Sequence, residues 1–343
     1  MEKLTIKTPA DVLSFIGHTL GFWPQESLVC ITLADNHVGA TLRVDLPKPG
    51  AEISYAQTVA GYLGHDTSAE GVLFAVYTSE PVDGDRNKPH AATIAALTGA
   101  LAERGLTIRE GLLVGDQTVS QYDGDPEKGV RLPLSATQSS QINAEFVYRG
   151  STIEPSNRIT LPDSTKESQT MDAVENQVTA IQGLNNRDAM EQARTLWTEM
   201  LNAKTYPDDE QTIGLIANLQ FPAIRDQLMA DIPGIDEPMD RVLLAQTHSK
   251  PRWSRVEWAE QLLVHAYTHS ATQHSAPALT AIAFINWWEG RGSKAHQFLE
   301  LALDADPDFR LARLSDQMIG AGMVAGWSMD KNTAYRERGL EAS

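Results

Sequence analysis

The stretch TPADVLSFIGHTLGFWPQESLVCITLADNHVGATLRVDLP, residues 8–47, decides the fold of the first half of the chain. Its opening predicts a helix: Thr8 suits the N-cap, Pro9 suits the first helical position, and Asp11 faces the positive end of the helix dipole. Apolar residues then recur at helical spacing, at Val12, Phe15, Ile16 and Leu20. Gly21 suits the C-terminal cap, so we expect the helix to end there.

The remainder of this stretch predicts a β-hairpin. Residues 27–33 and 38–46 are rich in apolar and β-branched residues, and the turn formers Asp35 and Asn36 lie between them. A helix followed by a hairpin is a typical beginning of an α/β sheet.

Alternating helix and strand patterns continue as far as residue 122. We expect helices at 51–63 and 90–104, and strands at 71–77, 108–114 and 118–122. Residues 71–77, GVLFAVY, are almost entirely apolar, as in a strand that is buried on both faces of a sheet. The order of elements predicts a mixed sheet with covering helices, and the glycine fingerprint of a dinucleotide-binding fold is absent from the sequence.

The second half has a helical pattern. Residues 123–170 are polar and turn-rich, and we interpret them as a linker with an edge strand at 158–161. Beyond them we expect helices near 169–182, 188–203, 209–219, 222–231, 237–248, 255–270, 277–288, 293–305 and 308–321. The sequence therefore predicts an α/β mixed-sheet domain with its polar linker at 1–165, followed by an all-α domain at 166–343.

One segment of the helical half resembles a tetratricopeptide repeat. Residues 289–307, EGRGSKAHQFLELALDADP, align with the second half of that repeat, with signature positions at Gly290, Ala295, Leu299, Ala302 and Pro307. One repeat cannot bury its own apolar face, so neighbouring helices must complete the stack. We expect a tetratricopeptide-like helical array, and a generic helical bundle remains the alternative.

Composition restricts the classes of function. The chain has 343 residues, 42% of them hydrophobic, a net charge of −17 and a single cysteine. An intramolecular disulfide is therefore excluded, and no apolar run is long enough to suggest a membrane span. The strong negative charge disfavours nucleic-acid binding, because that binding requires neutralisation of phosphates. We expect a cytoplasmic protein with no nucleic-acid or membrane partner.

Several motifs resemble those of an actinobacterial family known as domain of unknown function 4192. The motifs are Pro9-Ala10-Asp11, Leu20-Gly21-Phe22 with Pro24, Ser27-Leu28-Val29, Leu42 to Pro47, Phe221 to Asp226 and Trp288 to Pro307. The resemblance covers most of the chain and implies no particular activity. Relatives carry clustered cysteines near residues 121–133, where this sequence has none, so a metal or redox role is not carried over.

Polar residues at the predicted strand ends are the best candidates for a ligand site. In open α/β sheets, ligands bind in the crevice beyond the carboxyl ends of the strands. Our candidate ligand-binding residues are Ser27, Arg43, Asp45, Thr78, Ser79 and Asp116. Alternation places Arg43 and Asp45 on one face of their strand, where a simple ion pair is the more ordinary interpretation.

Other arrangements are weaker candidates. Ser27 with His18 and Asp11 contains the residue types of a hydrolase triad, but the nucleophile-elbow motif is missing. His265 and His269 lie four residues apart on a predicted helix and could face one metal ion, although packing is the commoner role of such a pair. The sequence predicts no cofactor and no metal site.

The basic-aromatic segment at residues 250–255 is more readily a loop packed at a helix start than a base-stacking site. Five of the tryptophans in the helical half cluster toward its C-terminal end, where aromatics form a core or line a groove: Trp253, Trp258, Trp287, Trp288 and Trp327. Our leading hypothesis is a protein- or peptide-binding module built on the helical domain. The alternative is a small-molecule-binding protein or enzyme that uses the strand-end crevice.

Overall fold

The computed structural model describes residues 5–35, 37–81, 88–123, 131–148, 151, 153–155, 159, 161–162, 167–320, 323–330 and 332–335. The chain forms two compact units, Met1–Asn157 and Arg158–Arg336. The first contains a mixed β-sheet with helices, and the second is helical. The predicted fold class is therefore confirmed.

The first unit is built on a six-stranded sheet with the order β2-β1-β3-β4-β5-β6. The strands are β1 (Ser27–Ala34), β2 (His37–Asp45), β3 (Gly71–Tyr77), β4 (Thr107–Val114), β5 (Thr118–Gln121) and β6 (Arg131–Pro133). β3 and β4 pair in parallel and the other neighbours are antiparallel. The parallel pair is joined through a helix, as a parallel connection requires.

Helices cover both faces of this sheet. They are α1 (Pro9–Leu20), α2 (Glu52–Leu63), α3 (Ala91–Ala102) and α4 (Gln141–Tyr148). Leu13 and Ile16 of α1 pack with Val29 and Ala75 on one face, whereas α2 and α3 pack with Phe74 and its neighbours on the other. β3 is buried along its whole length because both faces are covered, as its apolar run predicted.

The start of α1 forms as its local sequence indicates. The Thr8 hydroxyl accepts from the Asp11 N–H, and the Asp11 carboxylate accepts from the Thr8 N–H at 3.1 Å, which completes a capping box. Gly21 ends the helix in the left-handed conformation with φ 77°. These contacts lie within a few residues of one another, which is why the sequence alone predicts them.

The interpretation of residues 123–170 as a linker is wrong for its central part. That part forms β6, a 3₁₀ helix (Leu134–Ser139) and α4. The Ser14 hydroxyl of α1 donates to the Thr137 carbonyl at 2.8 Å, so distant contacts organise a stretch whose own pattern is weak. Of the predicted edge strand at 158–161, residues 158 and 160 lie outside the described residues, and Ile159 and Leu161 are not in a strand.

The second unit contains α5 (Glu167–Gln182), α6 (Asn186–Ala203), α7 (Asp209–Leu219), α8 (Pro222–Asp231), α9 (Met239–Leu243), α10 (Trp253–Thr268), α11 (Thr272–Trp288), α12 (Gly292–Ala305), α13 (Arg310–Gly320) and α14 (Gly326–Met329). Each helix predicted in this half is present, with ends shifted by a few residues and with α9 shorter than expected. Its core includes the fully buried Trp197, Trp288 and Trp327. Among the described residues, no helix has both the length and the apolar character that crossing a membrane would demand.

Candidate functional site

Strand pairing gathers the carboxyl ends of β2, β3 and β4 beside the start of β1. Ser27 is opposite Asp45 on one side and Tyr77 on the other, and Tyr77 is opposite Val114. The residues that flank these positions therefore share one edge of the sheet, which we call the carboxyl edge. Ligands of open α/β sheets bind at such edges.

Three of the predicted residues form a hydrogen-bonded group at this edge. The Arg43 guanidinium donates from Nε to Ser27 Oγ at 2.9 Å, and its Nη2 lies 2.5 Å from Asp45 Oδ1. The Ser27 hydroxyl in turn donates to the Gln25 carbonyl. The Arg43 side chain is only 8% exposed whereas that of Asp45 is 70% exposed, so the group reaches from the sheet to solvent.

Two more predicted residues, Thr78 and Ser79, bind the carboxylate of Glu26. Thr78 Oγ1 donates to Glu26 Oε2 at 3.0 Å, and both the N–H and the hydroxyl of Ser79 donate to Oε1 at 2.7 Å. Burial alone would raise the pKa of Glu26, but the hydrogen bonds from Ser79 and Thr78 outweigh it and lower that pKa. Glu26 is therefore a fixed carboxylate at neutral pH.

His90 completes the group. It immediately precedes α3 and has an imidazole Nε2 that is buried, lies 3.8 Å from Glu80 Oε2 and makes no hydrogen bond within the described part of the chain. The protonated form of His90 would add to the effect of the Ser79 and Thr78 hydrogen bonds that lower the pKa of Glu26. The Tyr122 hydroxyl donates to the Pro89 carbonyl at 2.7 Å and so fixes the backbone beside His90.

Glu26 and His90 also have unusual backbone conformations. Their φ angles are 40° and 57°, in the left-handed region that non-glycine residues avoid at a cost of about 1–2 kcal/mol. Among the described residues five non-glycine positions have positive φ, and two of these carry ionisable side chains at the carboxyl edge. Such strain is concentrated at functional sites, which supports this edge as the site.

The remaining predicted residue, Asp116, stands apart. It is exposed in the turn between β4 and β5, which lies at the same carboxyl edge of the sheet. It does not belong to the hydrogen-bonded groups around Glu26 and Arg43.

The structure does not bring together Ser27, His18 and Asp11, the three residue types of a hydrolase triad. The ring of His18 binds Ser151 Oγ and Asn143 Oδ1, each at 3.0 Å, and Asp11 belongs to the helix cap. Ser27 binds Arg43 and therefore has neither partner. Burial lowers the pKa of His18, which is consistent with a neutral packing residue.

The histidine pair in the second unit is packed. The rings of His265 and His269 are 4.2 Å apart, and His269 Nδ1 lies 2.8 Å from the backbone carbonyl of His265. Within the described residues, no group of three or more His, Cys, Asp or Glu side chains could hold a metal ion.

Sequence reasoning missed Glu26 and His90. Glu26 directly precedes a residue that was predicted, and its alignment with Thr78 follows from the pairing of Ser27 with Tyr77. Only a fixed strand register reveals that relation. For His90, the preceding proline and the Ala-rich helix that follows were visible in the sequence, but nothing local indicated a buried imidazole.

The fold and the site define a protein of two units: an α/β unit with a polar carboxyl edge, followed along the chain by a helical unit. The profile of a family described as "Domain of unknown function (DUF4192)" matches residues 9–325, and the chain belongs to that family. No curated protein and no solved structure matches the chain.

Proposed function

We propose that this protein binds a small polar molecule at the carboxyl edge of its sheet. The single observation that carries the proposal is the arrangement of Glu26 and His90, two ionisable side chains on strained backbone at the edge where α/β sheets bind ligands. Arg43 and Asp45 lie at the end of β2, which pairs with the start of β1, and they border the same edge.

The polar atoms of Glu26 and His90 that lack partners among the described residues indicate which groups the ligand would carry. A carboxylate offers about four acceptor positions, and among the described residues two donors bind Oε1 and one binds Oε2, which leaves an acceptor position on Glu26 Oε2. The buried Nε2 of His90 needs a partner as well. The ligand would therefore present a donor to Glu26 and a second polar group to His90.

Native mass spectrometry of the protein purified from its native lysate tests this proposal. We expect a small-molecule mass excess in the wild type that disappears in Glu26→Gln and in His90→Ala. Glu70→Gln is the matched control, because Glu70 is exposed and directly precedes β3, at the opposite edge of the sheet, and the same chemical change there should leave the excess unchanged.

If the ligand is lost on purification, a thermal-shift screen with small polar metabolites detects its binding when it is added back. Persistence of the mass excess or the thermal shift in Glu26→Gln would refute the proposal. The absence of any bound molecule and of any shift in the wild type would also refute it.

A second candidate function is protein or peptide binding by the helical unit. The supporting observation is the exposure of apolar side chains in and after α13, where Leu314, Met323 and Val324 are each about half exposed. A tetratricopeptide-like arrangement would suit this role, and it remains a prediction: Ala295, Leu299 and Ala302 are fully buried in the helix that carries the repeat motif.

A further inference from the structure

Two arginines at the start of α10, Arg252 and Arg255, lie beside each other in the second unit. Both side chains pack on the same residue: a Cβ atom placed on Gly234 would lie 3.1 Å from Arg252 Cδ and 3.5 Å from Arg255 Cδ. Gly234 has a φ angle of 68°, in the left-handed region that favours glycine, and it adds no side chain beside the arginines. The fold therefore holds two cationic side chains against one point of the backbone.

Neither arginine forms an ion pair with a carboxylate among the described residues. Arg255 Nη1 donates to the amide oxygen of Asn202 at 3.1 Å, and Arg255 Nε is buried without a hydrogen bond in the described part of the chain. Asp231 also attracts Arg255, but both of its carboxylate oxygens bind Arg194, at 2.7 and 2.9 Å. The carboxylate of Asp231 is thus already paired, and the charges of Arg252 and Arg255 are left without a counter-ion of this kind.

This pairing of like charges is electrostatically unfavourable. Burial and then the charge of Arg252 lower the pKa of Arg255, and the attraction of Asp231 opposes them. The chain has 45 Asp and Glu residues against 28 Lys and Arg residues, so acidic partners are abundant in the sequence and yet none is paired with these two arginines in the described structure. An anion bound between the guanidinium groups would relieve the repulsion between them.

The start of α10 adds main-chain donors at the same place. Arg252 is the N-cap of this helix; its side chain makes no capping hydrogen bond, and the first turn contains no acidic residue. The N–H of the exposed Ser254 has no backbone acceptor among the described residues. Helix N-termini attract anions through such free N–H groups and the helix dipole. Two guanidinium groups and a helix start therefore offer donors to one anion.

The aromatic residue of this basic segment is not free to stack on a base. The ring of Trp253 packs edge-on against those of Trp327 and Tyr335, with centroids 6.1 and 5.2 Å apart, and its indole N–H donates to the Thr333 carbonyl at 2.9 Å. The net charge of −17 also repels extended polyanions such as nucleic acids. These observations favour a small anion as the ligand.

We propose that Arg252 and Arg255, with the start of α10, bind the phosphate group of a small phosphorylated molecule. Two guanidinium charges match the charge of about −1.5 to −2 that a phosphate monoester carries at neutral pH. The planar fork of each guanidinium also fits two phosphate oxygens at once. The site shares no residue with the carboxyl edge, so it goes beyond the function proposed above and the two proposals fail independently.

Isothermal titration calorimetry of the full-length chain tests this site, with inorganic phosphate and glycerol 3-phosphate as probes at constant ionic strength in chloride. We expect saturable binding of both probes, weakened at least tenfold in Arg252→Gln and in Arg255→Gln. Arg252→Lys should lose less, because it keeps the charge and removes only the planar fork. Arg187→Gln is the matched control: it removes the same charge about 22 Å along α6 from Asn202, the partner of Arg255, and should bind like the wild type.

Four results would overturn the inference. The first is the absence of saturable binding of either probe by the wild type. The second is equal weakening in Arg187→Gln and Arg252→Gln, which would reveal a general effect of net charge. The third is binding of inorganic phosphate without binding of glycerol 3-phosphate, which excludes an esterified phosphate.

The fourth is tighter binding of a single-stranded oligonucleotide or of phosphatidylglycerol vesicles than of glycerol 3-phosphate, which would identify a nucleic acid or a membrane as the partner. Circular dichroism checks that each variant is folded. If Arg255→Gln unfolds because its side chain is partly buried, the exposed Arg252 decides the outcome through Arg252→Gln.

Discussion

Glu289 at the end of α11 gives a strong prediction of pH-dependent stability. Its side chain is 1% exposed and its Oε2 lies 3.1 Å from Arg291 Nη1. Burial raises the pKa of Glu289 to about 8; Arg291 opposes this change, and the charges of Glu260 and Glu257 on α10 reinforce it. The carboxyl is therefore held mainly in its neutral form at pH 7.

The size of the change in unfolding free energy follows from the difference between the pKa of Glu289 in the folded and unfolded chain. The folded chain binds the Glu289 proton more tightly than the unfolded chain, where the pKa is near 4.5. The contribution of Glu289 to stability is thus fully present below pH 4.5 and is lost as the pH rises toward 8. At about 1.4 kcal/mol for each tenfold difference in proton affinity, the loss is on the order of 4 kcal/mol at pH 8.

The perturbation is Glu289→Gln, which keeps the shape of the side chain and cannot ionise. Relative to the wild type, the variant should gain stability between pH 5 and pH 8, by up to about 4 kcal/mol. Urea unfolding followed by tryptophan fluorescence measures this gain, because six of the seven tryptophans lie in the second unit.

Glu191→Gln on α6 is the control, since the same chemical change at that exposed position should show no such gain. If the stability difference between Glu289→Gln and the wild type were the same at pH 5 and pH 8, the reasoning would be refuted.

Four further outcomes are expected. Because burial lowers the pKa of His18, an NMR titration of its imidazole should have a midpoint below the ordinary value of 6.5, and protonation should destabilise the fold as the pH falls through that region. Gly111→Ala should destabilise the protein by about 1–3 kcal/mol in chemical unfolding, because the new Cβ would lie 2.3 Å from the ring of buried Phe74. Gly99→Ala in α3, where nothing lies within 4 Å, should instead stabilise it by about 0.5–1 kcal/mol. Thr8→Ala should cost about 1 kcal/mol, measured in the same way, through loss of the α1 cap.

The carboxyl edge shows which residues of a candidate site can be predicted from the sequence pattern and which cannot. Polar residues after apolar strands indicated Thr78 and Ser79, and alternation along β2 placed Arg43 and Asp45 on one face. The role of Glu26 as the acceptor for Thr78 and Ser79 depends on a strand register that joins residues more than fifty positions apart. Local alternation indicates which face of a strand is buried, but it does not identify the residue that lies opposite in a distant strand.

Interactions between near neighbours were determined by the sequence itself. The cap of α1, the hairpin of β1 and β2, the buried run of β3 and the helical rhythm of the second half all depend on residues a few positions apart. α4, the left-handed conformations of Glu26 and His90, and the burial of Trp327 were decided by the tertiary structure. Each of these features depends on packing between segments that are distant in sequence, because neither a strained backbone nor a buried polar or aromatic group is stabilised by its own neighbours alone.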